Sequence, residues 1–200
     1  MFLVETAPVE IDTGFGALLH GMQSTSTKAA TFNCEVPLEQ RVGTVGDYLR
    51  EPDFSAGAWR TSAVTVGGLL ALVDEAVRQL RARGRHTDPH QAARIGQMLI
   101  HCQTAANWID AVPARHRRES KHLIGYINLA RLAIERACLE VVPLVQRSLG
   151  LSSLSATNPV AGMMTDLATY LRQPAGNEVL TQAAIHFAET PTPTSLGLVS

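Results

Sequence analysis

The chain has 200 residues, 46% of them hydrophobic, which is enough to bury a sizeable core in one main domain. Its 17 basic and 18 acidic residues leave a formal charge of -1. A charge so nearly balanced excludes a global field that favours nucleic acid, an anionic membrane or an acidic substrate. We expect neither nucleic acid nor a membrane among its partners.

The cysteines and the first residues predict a cytoplasmic protein. Cys34, Cys102 and Cys138 are far apart and lack the short spacings of metal sites and small disulfide frameworks, so we expect reduced, buried thiols. The start, MFLVETAPVEIDTG, has no basic segment before an apolar stretch, which argues against a secretory signal. The longest apolar run, AVTVGGLLALV, is roughly half as long as a membrane helix needs to be.

The first 57 residues differ from the rest in their pattern. The stretch TKAATFNCEVP alternates roughly as a short strand does. Any helical period is then interrupted at Gly43, Gly46, Pro52 and Gly57. We predict that residues 1-57 are the remnant of a β domain and a loop, with a boundary near Gly57.

Five helical patterns follow over residues 58-190. The first stops near Gly84, and its apolar positions are Leu69, Leu72, Val73, Ala76 and Leu80. The second starts with Asp88 as the N-cap before Pro89 and ends at Pro113. Its predicted inward face consists of Ala92, Ile95, Leu99, Cys102, Ala106 and Ile109.

The third helical pattern is the strongest, with apolar residues on several faces and Pro143 as an expected kink. Its main face is Leu123, Ile127, Ala130, Ile134, Ala137, Val141 and Leu144. A fourth helix starts at Asn158-Pro159 and extends to about Arg172, and a fifth follows Gly176. The predicted fold class is mainly α: an antiparallel helical bundle preceded by a short β/loop fragment, with residues 191-200 as a flexible tail.

Local motifs carry little chemistry. His86 and His90 are spaced like a metal-binding pair, but Pro89 starts a helix between them, and exposed histidines are the alternative. The run PARHRRESKH is the densest basic patch and suits either a phosphate or coenzyme A nucleotide, or a solvated turn. The sequence has no Gly-rich phosphate loop, Gly-Xaa-Ser-Xaa-Gly elbow or zinc motif. From the residues alone the function stays open.

The order of the segments resembles the acyl-CoA dehydrogenase family. HGMQSTSTKAATFNCEVP, from His20 to Pro37, is similar to the segment that closes the middle β domain of that family, and residues 58-189 resemble its C-terminal helical bundle, including NPVAGMMTDLATYL. The resemblance implies a bundle of the acyl-CoA dehydrogenase C-terminal type. It also implies an FAD-dependent oxidoreductase that acts on the CH-CH bonds of acyl-CoA or a related thioester, as a homo-oligomer or partner subunit.

The resemblance assigns four residues to the cofactor. Gln146 and Gly150 are similar to the glutamine and Gly-rich turn near the FAD pyrophosphate of a neighbouring subunit. Gly84 and Gln91 resemble an Arg-Xaa-Xaa-Phe-Gly element and its following glutamine, which reach a partner's flavin, with Arg83 in the place of Phe. We therefore expect FAD contacts at Gly84, Gln91, Gln146 and Gly150.

A second family motif, Pro-Xaa-Glu-Arg-Xaa-Xaa-Arg-Asp, is matched in part. Pro159 and Asp166 agree with it, whereas Gly162 and Thr165 replace charged positions. The structural coupling that those charges provide in the family is therefore not expected here.

No residue inherits the family's catalytic glutamate. Counting eight residues on from Asp166 arrives at Pro174, which cannot be a base, and residues 58-70, where other members place the glutamate, contain no acid. Two hypotheses follow. The chain is an acyl-CoA dehydrogenase-like flavoprotein that is incomplete or inactive alone, or it is a non-catalytic helical oligomerisation module or partner subunit of a separately encoded half.

Overall fold

The chain folds into an antiparallel helical bundle behind a short β/loop fragment, which confirms the predicted fold class. The computed structural model describes residues 1-5, 9-12, 14, 19-117, 121-172 and 175-196. Within them the bundle has five α-helices: α1 (Asp53–Ala82), α2 (Pro89–Arg117), α3 (Leu123–Leu149), α4 (Pro159–Tyr170) and α5 (Gly176–Ala188). A short turn joins α1 to α2, and a 3-10 helix, Gly150–Leu154, follows α3.

In its described residues the N-terminal segment is mostly exposed and contains little regular structure. Strand β1 (Glu10–Asp12) pairs antiparallel with β2 (Ala29–Thr31), so only three residues of the predicted TKAATFNCEVP strand are paired. The segment is fixed to α4, where the Met22 backbone N–H donates to Asp166 Oδ1 at 2.5 Å. A Cβ at Gly21 would collide with the Thr165 carbonyl oxygen, so the backbone lies directly against this helix.

Helix α1 begins at Asp53, before the predicted start at residue 58. The Glu51 carboxylate accepts from the Ser55 backbone N–H at 3.2 Å and from Ser55 Oγ at 2.8 Å, which pairs a donor that the first turn of a helix leaves free. Gly57 consequently lies inside the helix. Gly57 was expected to mark the boundary of the helix. The helix tolerates it, because a glycine in a helix interior costs only about 1 kcal/mol.

Helix α3 lies at the centre of the bundle. It packs against α1, α2 and α5, and its residues Ile134, Cys138 and Val141 are almost fully buried. Leu69, Leu72 and Ala76 of α1 are fully buried at the predicted positions. Pro143 lies inside α3 as predicted, and the helix continues to Leu149.

The predicted inward face of α2 is partly wrong. Leu99 is 54% exposed, whereas the neighbouring Met98 is fully buried. The buried positions are Gln91, Met98, Cys102, Ala105, Val112 and Arg115. Apolar residues stand on both faces of this helix, so periodicity could not choose between them. The helix also runs through Pro113 to Arg117 instead of ending there.

Two of the three cysteines are buried as predicted. Burial raises the pKa of the Cys138 thiol to about 12 and also raises the pKa of Cys102, so both stay protonated near neutral pH. Cys34 is exposed, and the prediction for it is wrong. It lies in the N-terminal segment, whose described side chains are mostly exposed.

The end of the bundle formed by the C-terminal part of α2 and the start of α3 has its own aromatic core. Tyr126 and Phe187 are buried there, and His122 Nδ1 lies 2.9 Å from His186 Nε2. The predicted tail contributes to it: Pro193–Ser195 form a 3-10 helix, and the Leu196 carbonyl accepts from Arg115. Residues 197-200 of that tail lie outside the described residues.

Helix α1 is the one described helix long and apolar enough to cross a membrane by length and composition. In its most apolar stretch of 18 residues, 33% of the residues are buried, and Leu69, Leu72 and Ala76 face neighbouring helices. A core helix of a bundle passes the same test.

Replacing Gly125 with Ala is expected to destabilise the docking of α5. The added Cβ would lie 2.9 Å from His186 Cδ2 and 3.1 Å from Phe187 Cε2, so we expect the free energy of unfolding to fall by about 1–3 kcal/mol. Gly96→Ala in α2 is the control, because nothing lies within 4 Å of its Cβ, and it should stabilise by roughly 0.5–1 kcal/mol. Urea denaturation measures both. Equal midpoints for G125A and the parent chain would contradict this packing.

Acid should weaken the same end through the histidine pair. Burial, then the His186, Lys121 and Arg115 charges, lower the pKa of His122. A lowered folded-state pKa gives stability that is present above the unfolded value of about 6.5 and is lost as the pH falls below it. We expect the Tm to fall on moving from neutral to mildly acidic pH, and to fall less in H186Q. H101Q, on α2, is the control and should keep the parent's pH dependence.

Candidate functional site

All four residues that the resemblance assigns to the cofactor lie at one end of the bundle. We call this the turn end: residues 83-91, which join α1 to α2, and residues 146-154, which end α3 and precede α4. Gly84 and Gln91 belong to the first segment, and Gln146 and Gly150 to the second. The segments touch where Arg83 Nη2 donates to Ser152 Oγ at 3.0 Å.

Gln91 is buried at the turn end and uses its amide inside the bundle. The side chain is 3% exposed, and its Nε2 donates to the Ser148 carbonyl at 3.3 Å. Gln91 Oε1 and Ser148 Oγ are both buried without a hydrogen-bond partner. Unpaired buried polar atoms cost free energy, so a bound water or ligand atom would be stabilised between these residues.

Positive charge dominates the surface of the turn end. Arg83, Arg85 and Arg147 are exposed there. The Asp88 carboxylate caps α2, because its Oδ1 accepts from the backbone N–H groups of His90 and Gln91, each at 3.1 Å. Such a surface suits a phosphate group, which arginine recognises with paired hydrogen bonds.

Backbone conformation explains the two glycines of the turn end. Gly84 and Gly150 both have φ +64°, and no atom lies within 4 Å of a Cβ placed on either one. At Gly150 the ψ angle is -150°, a combination that is essentially confined to glycine. Both positions are therefore open to a ligand, although their chain geometry already requires glycine.

FAD is the cofactor that the resemblance implies, and the turn end fits its phosphates. Gly84, Gly150 and the exposed Arg83 can contact a pyrophosphate. Gln146 is half-buried near the end of α3. Gln91 can contact such a group only if its buried side chain turns away from Ser148.

A long groove runs beside the first turns of α1. It consists of cavities of about 880 Å³ and about 630 Å³ that share Glu51 and Ile124. Arg60 and Val179 line the larger cavity, and Lys121 lines the smaller one. Each cavity has a volume in the range of small-molecule sites, and cationic and apolar residues both line the groove.

Three acids that precede the predicted start of the bundle at residue 58 line this groove. They are Asp47, Glu51 and Asp53. Glu51 caps α1, and Asp47 accepts from the Thr44 backbone N–H and pairs with Arg50. The Thr44 hydrogen bonds hold the pKa of Asp47 below its usual range, which opposes a role as base.

The position of the family's glutamate lies at the junction between α4 and α5. Pro174 itself is outside the described residues. Glu135 of α3 comes near this junction, with its Oε1 4.0 Å from Arg172 Nη2. Sequence reasoning gave no signal for Glu135, because it lies on a different helix from the junction.

Asn158, directly before the second family motif, and Asp166, at its end, have local structural roles. The Asn158 side chain accepts from the Val160 backbone N–H at 3.0 Å and caps α4 as predicted. Asn158 also exchanges two amide hydrogen bonds with Gln79 of α1, at 2.8 and 3.0 Å. Asp166 holds the N-terminal segment through Met22.

The remaining motifs do not form a metal site in the part of the chain that the structure describes. His86 and His90 are exposed, and no group of three His, Cys, Asp or Glu side chains lies together there. His116, Arg117 and Lys121 of the basic run line the groove, while residues 118-120 are outside the described ranges.

Comparison with known proteins supports the fold. No protein-family model matches the sequence, and no curated protein matches it. The crystal structure of an acyl-CoA dehydrogenase from Slackia heliotrinireducens DSM 20476 does match, with a TM-score of 0.75 and 17% sequence identity. The match covers 94% of this chain and 52% of that one, so the chain spans about half the length of the structure it matches. The bundle is therefore of the acyl-CoA dehydrogenase C-terminal type.

Gly150→Ala tests the geometry of the turn end. Because the φ and ψ angles of Gly150 are essentially confined to glycine, we expect unfolding to become easier by about 1–3 kcal/mol. Gly162→Ala on the exposed side of α4 is the matched control and should not destabilise, since no atom lies within 4 Å of its Cβ. Chemical denaturation compares the two. Equal stability of G150A and G162A would show that residue 150 adopts another conformation.

Proposed function

We propose that this chain is the helical half of an FAD-dependent acyl-CoA dehydrogenase-like oxidoreductase, and that it binds the FAD pyrophosphate at the turn end. The observation that carries the proposal is that Gly84, Gln91, Gln146 and Gly150 converge on one basic end. The acyl-CoA dehydrogenase-type fold supports it, because the same fold in the solved structure belongs to an enzyme of that name.

The residues of the turn end have different roles in the proposed site. The Arg83 and Arg85 guanidinium groups bind the phosphates, and the glycine backbone lets them approach. Gln91 orients the turn, because its bond to the Ser148 carbonyl joins the start of α2 to the end of α3. This FAD would be that of a neighbouring subunit, as the resemblance implies, and would supply the acceptor for a hydride from the acyl chain bound there.

The groove beside α1 is the proposed place of the acyl thioester. Arg60 and Lys121 can pair with the phosphates of coenzyme A. Ile124 and Val179 can contact the rest of the thioester as apolar lining. Asp47 and Glu51 are engaged in local hydrogen bonds, so we assign neither of them as the base. The base and the remaining cover of the site come from another subunit, in a cytoplasmic oligomer.

A second candidate is a non-catalytic helical oligomerisation module or a partner subunit of a separately encoded half. It is favoured by the exposed large apolar residues of the N-terminal segment, which lie where a partner would cover them: Phe2, Leu3, Ile11, Phe32, Leu38, Val42, Val45, Tyr48 and Leu49. In that case the chain forms a stable assembly without flavin.

The test is a titration of FAD and riboflavin, followed by flavin fluorescence. Because riboflavin lacks the phosphates, we expect it to bind at least about tenfold more weakly than FAD. The double variant R83Q/R85Q should lose FAD affinity by a similar factor, whereas R41Q, an exposed arginine on the N-terminal segment, should not.

Three outcomes of this titration would contradict the proposal. They are no FAD binding, equal binding of FAD and riboflavin, and equal losses in R83Q/R85Q and R41Q. Light scattering on the same samples tests the second candidate, which predicts a stable dimer or larger assembly in the absence of flavin.

A further inference from the structure

A second cleft lies at the end of the bundle opposite the turn end, between α2 and α3. It has a volume of about 290 Å³, and its lining includes Asn107, Trp108, Arg115, Tyr126 and Leu196. We call it the Arg115 cleft. Its lining contains a cation and two aromatic rings, and none of its lining residues carries a carboxylate.

Arg115 is a buried cation held by neutral groups. The residue is 5% exposed, and its Cζ lies 3.8 Å from the centre of the Tyr126 ring. Nη1 donates to the Leu196 carbonyl at 2.6 Å, and Nε is buried without a hydrogen-bond partner. Guanidinium has five N–H donors, so the Leu196 carbonyl and the ring and hydroxyl of Tyr126 leave part of its capacity unused.

Burial makes this arrangement favourable for an anion. A charge removed from water is costly unless an opposite charge and further hydrogen bonds compensate it. A carboxylate accepts two parallel N–H bonds from guanidinium, and each is stronger than the bond to a neutral carbonyl. A carboxylate would therefore replace the Leu196 carbonyl as the partner of Arg115.

The other residues that line the cleft determine which uncharged part of a ligand fits there. Trp108 and Tyr126 lie with ring centres 5.1 Å apart at an interplanar angle of 36°, and Ala111 adds to the apolar lining. Such a wall favours contact with another flat apolar group. The volume lies at the lower end of small-molecule sites, which limits the ligand to about one aromatic ring and its substituent.

We propose that the Arg115 cleft binds a small aromatic carboxylate, and that residues 193–196 compete with it for Arg115 in the free protein. The ring lies against Trp108 and Tyr126, and the carboxylate takes the place of the Leu196 carbonyl. This site is separate from the turn end and the groove, so it does not depend on FAD or on a thioester.

Benzoate and benzamide test this site, because they have the same shape and differ in charge. Binding is followed by NMR through the indole N–H signal of Trp108, assigned with W59F because the chain has two tryptophans. Benzoate should shift the Trp108 signal, and benzamide should bind at least about tenfold more weakly. No shift with benzoate at millimolar concentration, or equal binding of both compounds, would overturn the proposal.

Variants of the full chain separate the cation from the competing tail. R115Q should weaken benzoate binding at least about tenfold, R115K should weaken it less because the charge stays, and R136Q, at an exposed arginine of α3, should leave it unchanged. L196A removes packing of the tail on the aromatic core and should strengthen binding. If R115Q does not fold, the benzoate affinities of R115K and L196A still test the site. Unchanged affinity in both variants would overturn the site.

Discussion

The fold depends on one constraint: α3 is apolar on more sides than any single neighbour can cover. Ile134, Cys138 and Val141 are buried in a cluster with residues of α1, α2 and α4, whereas Phe187 of α5 covers Tyr126 and Ile127 at the other end of α3. Alanines at Ala76, Ala105 and Ala137 are also buried, and their small side chains let the helices approach closely. Once α3 is enclosed, the two ends of the bundle are fixed in space, and each end collects residues that are far apart along the chain.

The two ends then differ in chemistry. At the turn end, loops with glycine and exposed arginine leave backbone and charge on the surface, joined by Arg83 and Ser152. At the opposite end, rings and histidines form a second small core, into which Arg115 is drawn. Surface cations recognise a ligand through charge that water screens, whereas a buried cation acts at low dielectric and gains more from a matching anion. The two ends therefore suit different classes of anion.

Sequence periodicity predicted the helices well and the orientation of α2 poorly. The caps at Asp88 and Asn158 and the buried face of α1 needed only local rules, and the structure agrees with them. The choice between Met98 and Leu99 depended on which neighbour α2 would meet, which no local pattern contains. Likewise Gln91 and Gly150 could be placed at one end by resemblance to a family. The inward turn of the Gln91 side chain follows from packing against Ser148, and it was not foreseeable.

The bond between Met22 and Asp166 joins positions that are 144 residues apart. Closing so long a loop is costly in entropy, and the acceptor exists only after α4 has formed on its cap. We therefore expect the N-terminal segment to dock late in folding, onto a bundle that is already assembled. We also expect it to detach without unfolding that bundle, since few of its described side chains are buried. Exchange of the Met22 amide hydrogen with solvent should accordingly be much faster than exchange in α3.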